Sequence, residues 1–424
     1  MLPVPRLPLP MRIANRVGTA LRAAGLPIGS LDESAVLEAA RRRTGLDDFG
    51  DGMFREGLGR LLRAWDEEAA LTPVGRALAR RQATDLLENR LRMQNEWSRH
   101  PEIAAGTVRA PLFILGLPRT GTSILHELLA QDPENRVPMT WEVMWPWPPP
   151  ERATFETDPR IARAERHFAG IDRMLPEFKR MHPMGARFPQ ECVALMAHDF
   201  ASLLFHTTHR VPSYQRWLDG IDWRPVYAQH RRQLQYLQWR APGTRWVLKS
   251  PGHLWTLEAL LAEYPDARIV QTHRDPLRVI ASLASLVSYL RGMASTRIDP
   301  HEIGADWTVR LAAGLQHTLE VRERGLLPPS RVFDVHFREF IGNEIETIRR
   351  LYTHFGLTLS PEAEARMRAF LHANPKDKHG AHRYTLADAG LDPTTERQRY
   401  ARYEAYHGVA REESQDRARR PPVR

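Results

Sequence analysis

The chain has 424 residues, 42% hydrophobic and 26% charged, and its 60 Lys and Arg outnumber 51 Asp and Glu for a net charge of +9. That length allows two or three structural units, and the composition is that of a globular protein, which excludes collagen-like, coiled-coil and disordered classes. The positive excess calls for an anionic partner, whether nucleic acid, membrane surface or small phosphorylated ligand. Cys192 is the single cysteine, so internal disulfides and multi-thiolate metal sites are excluded and a reducing compartment is expected. The segment Met1–Pro10 holds no apolar core of the signal-peptide kind, and the uncharged apolar stretch Val279–Leu290 is shorter than the ~18 residues of a membrane span. A soluble, cytoplasmic protein is the expectation.

In chain order, apolar residues at helical spacing predict helices over Met11–Ala24, Glu33–Arg43, Met53–Glu68 and Asp85–Ser98, a helical region covering residues 1–108. The first sets Arg12, Arg16 and Arg22 beside Ile13, Val17 and Leu21. A membrane surface would suit that pattern; packing on its own domain is the reading favoured by the sequence. From Ala110 short apolar strands alternate with helices. Pro111–Gly116 is followed by a helix over Thr122–Gln131, Arg245–Leu248 by one over Leu254–Glu263, and Ala267–Thr272 by one that Asp275 caps and Pro276 begins. Val332–Val335 precedes a helix ending at Gly356. This order predicts an α/β fold, a parallel sheet flanked by helices, over residues 109–391. Within it, residues 134–240 are rich in Trp, Arg, Pro and His and read as a helical insertion on the acceptor side, where Trp141, Trp145 and Trp147 could line a pocket or pack beneath a loop. Residues 392–424 read as a charged tail, weakly ordered after Arg399.

The segment Gly116-Leu-Pro-Arg119-Thr120-Gly121-Thr122-Ser123 joins a strand to a helix with the glycine spacing of a phosphate-cradling loop. A nucleoside-triphosphatase would carry lysine after Gly121, where this chain has Thr122, with its cation earlier at Arg119. Pro-Arg-Thr-Gly-Thr-Ser resembles the 5′-phosphosulfate loop of the sulfotransferases, whose donor is 3′-phosphoadenosine 5′-phosphosulfate (PAPS). The resemblance implies that Arg119 holds the 5′-phosphate and that Thr120, Gly121, Thr122 and Ser123 form the loop and helix start that donate to it. Such a motif also occurs as a ligand-free turn, so a second site is required.

That second site follows the strand ending in His273-Arg274-Asp275-Pro276. Arg274 stands at the strand's C-terminal edge, where open α/β sheets bind ligands, and Ser282 follows eight residues later, about two helical turns on. A guanidinium fork plus a hydroxyl suits a phosphate dianion. In the sulfotransferases an Arg and Ser at this spacing hold the donor's 3′-phosphate. His-Arg-Asp also imitates a kinase catalytic loop, but the Asn such a loop needs is missing near Ile280. Lys376-Asp-Lys378-His-Gly380-Ala-His-Arg-Tyr384, with Asp388 and Gly390-Leu391 beyond it, resembles the family's late loop closing over the donor, in its bacterial form; a solvated basic loop reads the same way.

Between the two anion sites lies Lys249-Ser-Pro-Gly-His253, which resembles the family's Lys-x-His segment lengthened by two residues. The resemblance implies His253 as general base and Lys249 as the cation that meets charge on the leaving phosphate, with Arg119 assisting. Glu191 competes for the role of base, because carboxylates serve in some branches of the family. Sulfuryl transfer resembles phosphoryl transfer in its loose, in-line transition state, and cationic side chains can do the work of a metal. None of the 18 histidines falls in a metal-ligand motif such as His-Glu-x-x-His, so no metal is expected. The resulting expectation is a PAPS-dependent sulfotransferase acting on a hydroxyl or amine of a small-molecule, lipid or carbohydrate acceptor. The rivals are a P-loop kinase and a non-catalytic nucleic-acid-binding protein.

Overall fold

The computed structural model describes residues 5–26, 29–175, 184–375 and 385–412. Five parallel strands form its sheet: β1 (Leu112–Gly116), β2 (Asn135–Arg136), β3 (Arg245–Lys249), β4 (Arg268–His273) and β5 (Val332–His336). Their order is β2-β3-β1-β4-β5. In register, Leu112 of β1 lies between Val247 of β3 and Arg268 of β4. Both faces of β1 are covered, which is why its sequence is continuously apolar instead of alternating. Side chains still alternate: Leu112 and Ile114 enter a core with helix Glu344–His354, while Phe113 and Leu115 enter a larger core on the opposite face.

That larger core also contains Leu58, Trp65, Leu87, Leu91 and Trp97 of the N-terminal helices. These helices are α1 (Leu9–Ala23), α2 (Glu33–Thr44), α3 (Phe54–Glu67) and α4 (Pro73–Arg99). They therefore share their hydrophobic interior with the sheet. Helix α4 begins well before the expected Asp85: the Thr72 hydroxyl accepts from the Gly75 N–H at 2.9 Å, and Pro73 opens the first turn. A Cβ at Gly75 would sit 2.0 Å from the Ala294 carbonyl oxygen, so glycine is what lets α4 close on the end of helix Pro276–Gly292.

Three expectations are corrected. The helix expected from Leu254 is a 3₁₀ turn over Pro251–Leu254 followed by an α-helix over Leu257–Glu263, since Pro251 and Gly252 fit a tight turn better than a helix interior. The described part of the segment beyond Arg399, residues 400–412, is ordered. Helix Pro393–His407 is capped by Asp392 and buries Tyr400 and Tyr403, and the Tyr400 hydroxyl donates to the Thr308 carbonyl at 2.6 Å. Finally, α1 docks on α4 but leaves Leu9, Ile13, Val17 and Leu21 exposed, so its apolar side is not what packs. Among the described residues no helix is long and apolar enough to cross a membrane.

Candidate active site

β1 ends at Gly116, and the chain turns through Leu117–Gly121 into α5 (Thr122–Leu129). Gly116, Arg119 and Gly121 have φ of +152°, +68° and +89°. For Arg119 this left-handed conformation costs about 1 kcal/mol, a strain the surrounding loop must hold. A Cβ at Gly116 would meet the Thr272 hydroxyl at 2.1 Å, so the loop lies directly on the end of β4. Thr120 is buried; its hydroxyl donates to the Leu117 carbonyl at 2.6 Å and lies 2.5 Å from that of Thr272. No side chain caps α5. Its first-turn N–H groups therefore face the loop's concavity with the positive end of the helix dipole behind them. Arg119 and Ser123 are exposed at this mouth, and Thr122 is buried.

Lys249 ends β3 beside this loop and is nearly buried, with 5% of its side chain exposed. Its ammonium donates to Glu191 Oε1 and, at 3.4 Å, to Ser123 Oγ. The insertion delivers Glu191. Gln190 N–H donates to the Pro138 carbonyl at 2.7 Å, and Glu191 then stands at the start of the short helix Cys192–Met196. Below the ammonium, His126 of α5 can only donate through Nε2 to the Val247 carbonyl at 3.1 Å. Burial, reinforced by the charge of Lys249, lowers its pKa to about 3, so this imidazole is neutral and adds no competing charge.

On the other flank, Arg274 follows β4. One terminal nitrogen donates to the main-chain carbonyl of Arg119 at 2.9 Å. Nε and the other terminal nitrogen form a bidentate pair with Glu412 at 2.8 and 3.0 Å, and the guanidinium stacks 3.9 Å from the centre of the Phe337 ring. Phe337 also limits the space at Gly121, where a Cβ would come within 3.4 Å of its ring. Glu412 is anchored by its own N–H, which donates to Asp275 at 2.8 Å, and Arg278 lies 3.9 Å from its carboxylate. Arg274 thus holds an anion supplied by the same chain.

A model described as the sulfotransferase family matches residues 111–361, more than half of the sequence. The chain belongs to this family. Among solved structures, the sulfotransferase STF9 of Mycobacterium avium superposes with a TM-score of 0.84 at 31% identity, covering 90% of this chain and 98% of its own. STF1 of Mycobacterium tuberculosis H37Rv superposes with a TM-score of 0.78 at 35% identity, covering 87% and 98%. Curated relatives named omega-hydroxy-beta-dihydromenaquinone-9 sulfotransferase Stf3, from M. tuberculosis and M. bovis, are 27% identical over 252 residues, 58% of this chain. The chain spans 63% of the length of those curated relatives.

In this member of the family, Arg119 to Ser123, Lys249, Glu191 and Arg274 all gather at the C-terminal edge of β1, β3 and β4. Ser282 is buried two turns into helix Pro276–Gly292. His253 goes elsewhere. It is 1% exposed, packs edge-on against Phe113 beneath β1, and its Nδ1 lies 2.7 Å from the Tyr227 hydroxyl, which also meets Thr256. Burial, then the neighbouring His230, lowers its pKa well below the usual imidazole value. The structure places this ring in the core, where it makes none of the contacts that join Lys249 to Glu191 and Ser123. Lys376, Lys378 and Gly380 lie outside the described residues. Trp141 is buried against Phe155 and Arg160 and serves packing, whereas Trp147 donates to Glu96 at 3.0 Å with Arg92 over its ring and keeps 39% of its surface exposed. Sequence reasoning missed His126, Phe337 and Glu412, which carry no motif.

The described residues include one further cluster of possible metal ligands, His273, Asp334 and His407, with ligand atoms within 4.8 Å of one another. Arg322 donates to both carboxylate oxygens of Asp334 at 2.9 and 2.6 Å, and His273 lies 2.7 Å from one of them. The guanidinium already supplies the positive charge there, so the cluster holds helix Pro393–His407 to the sheet.

Proposed function

We propose that this sulfotransferase takes its sulfuryl group from PAPS and passes it to a hydroxyl, with Glu191 as general base. The observation that carries this reading is the convergence of Lys249 on both Glu191 and Ser123 at the mouth of the loop. In the proposed reaction the acceptor hydroxyl gives its proton to Glu191 while its oxygen bonds to sulfur. The bond from sulfur to the 5′-phosphate oxygen breaks, and Lys249, Arg119 and the first N–H groups of α5 meet the charge released. Arg274 and Ser282 take the 3′-phosphate. Donor binding there displaces Glu412, whose carboxylate already fits the guanidinium fork in bidentate fashion. Residues 109–391 form the donor-binding unit, and 134–240, which contribute Glu191, form the acceptor side. The name of the Stf3 relatives supports a hydroxylated isoprenoid quinone or similar lipid-like alcohol as the acceptor class.

The test is incubation of the purified protein with sulfur-labelled PAPS and a cell lipid extract, followed by identification of the labelled product. A labelled sulfate ester that requires Glu191 is expected. Stabilisation by ATP and Mg²⁺ but not by adenosine 3′,5′-bisphosphate, with no label transferred, would replace this reading with a kinase.

A further inference from the structure

Residues 1–31 contain four arginines, Arg6, Arg12, Arg16 and Arg22, and no acidic or aromatic residue; the first carboxylate is Asp32. Within them α1 is held in a fixed orientation. Gly18 is its one buried residue, so close to Pro73 that an added Cβ would lie 2.5 Å from the proline ring. The Asn15 carbonyl oxygen of the side chain accepts from the Val74 N–H at 2.9 Å. These two contacts set Met11, Asn15 and Gly18 toward the body of the protein. At about 100° per residue, Leu9, Ile13, Val17 and Leu21 advance about 40° at each step and share one arc on the other side. Their exposures are 62%, 52%, 53% and 38%. Leu26, whose N–H donates to the Leu21 carbonyl, extends the row and is 51% exposed. Arg12 and Arg16 border the arc and are themselves exposed.

We infer that α1 is an interfacial anchor that lays this aliphatic row into an anionic lipid surface. A continuous row of large aliphatic side chains turned outward is a liability in water and implies a covering apolar phase. The arginine flank identifies which one. Arginine stems lie along apolar surface while their guanidinium groups reach lipid phosphates, and an amphipathic helix with this distribution rests in the headgroup plane. A second copy of the chain fits less well: two such helices paired face to face would crowd their arginines together with no carboxylate in residues 1–31 to offset them. A protein groove fits less well too, because aromatic anchors dominate such contacts and this segment has none. The inference rests on α1 alone and is independent of the acceptor proposed above.

The experiment is co-sedimentation of the full chain with vesicles of phosphatidylcholine, alone or mixed with phosphatidylglycerol. Wild-type protein is expected to partition onto the mixed vesicles and to be released by salt. The double variant Ile13→Asp, Val17→Asp should bind at least about tenfold more weakly, since it places charge where apolar burial occurred. Arg12→Gln with Arg16→Gln should weaken binding roughly twenty-five-fold, at about fivefold per charge. All these side chains are exposed, so an unchanged melting temperature verifies folding. Equal partitioning of wild type and variants, or no partitioning of the wild type, overturns the inference. A wild-type dimer by light scattering that Val17→Asp converts to monomer, without vesicle binding, replaces it with self-association.

Discussion

Lys249 and His253 are four residues apart and finish in opposite environments. At the sheet edge, Lys249 meets Glu191 and Ser123 at the mouth of a phosphate-type loop. Beneath β1, His253 is sealed among Phe113, Tyr227 and His230, with Nε2 buried and unbonded. The Ser250-Pro251-Gly252 turn separates the two by sending the chain from the edge into the core; the Ser250 hydroxyl accepts from the Gly252 N–H at 3.0 Å and fixes it. Proximity in sequence to a reactive lysine therefore says little about where a histidine points. A proton acceptor needs access to substrate as well as a suitable pKa, and in the proposed reaction Glu191, brought in by the insertion, is the group that meets this need.

The largest expected effect is at Glu191. Glu191→Gln should lower kcat by about 10²–10⁴ while leaving the fold intact, whereas His253→Ala should lower the melting temperature and preserve turnover per folded molecule. The reverse pattern in steady-state kinetics and thermal melts would restore the histidine as base. Acid titration probes the buried side next. His230 has its pKa lowered to about 3 and His253 well below 6.5, in both cases by burial first. In the unfolded chain each binds a proton as pH falls through about 6.5, and in the folded chain it does not. Their contribution is complete above about 6.5 and is lost toward acid, at up to about 1.4 kcal/mol per group per pH unit. Denaturant midpoints should fall accordingly between pH 7 and pH 5, and removing both histidines should reduce the slope without abolishing it, since His126, His198 and His209 are shifted in the same direction.

At the anion-binding flank the effects are smaller. Arg274→Ala should weaken adenosine 3′,5′-bisphosphate at least about tenfold, through loss of a charge-assisted contact of about 1.5 kcal/mol or more. Calorimetric isotherms that match the wild type would remove Arg274 from the donor site. Glu412→Gln should do the opposite, tightening the same ligand by about fivefold, because it removes a partly exposed ion pair worth about 1 kcal/mol that the ligand must otherwise displace. Unchanged affinity would mean that Glu412 and the ligand do not compete.

How much of this was readable follows from what kind of signal each part leaves. β1, β3, β4 and β5 are apolar runs and were legible. β2 consists of Asn135 and Arg136, polar and two residues long, and exists only because it registers against Arg245 and Trp246. The starts of α4 and of helix Pro393–His407 were legible in principle, since Thr72-Pro73 and Asp392-Pro393 are cap-plus-proline pairs; the dense charge after Arg399 obscured the second. In the site, loop and strand-end residues carry spacing that a sequence shows. The contacts Lys249 to Glu191, across 58 residues, and Arg274 to Glu412, across 138, leave no local pattern. Nor does the inward turn of His253, because Pro251 and Gly252 report a bend without its direction.

The bond from Arg274 to the Arg119 carbonyl ties one arm of the proposed donor site to the backbone of the other. A flexible guanidinium becomes a fixed post, and the gap between the two arms is set by main chain instead of by rotamers. On the proposed reading the site acts as a gauge. A nucleotide whose two phosphate-bearing ends match the gap would be gripped at both; one phosphorylated at a single end would leave an arm empty and forfeit that contact. Length, measured from loop to loop, becomes a criterion of selection in its own right.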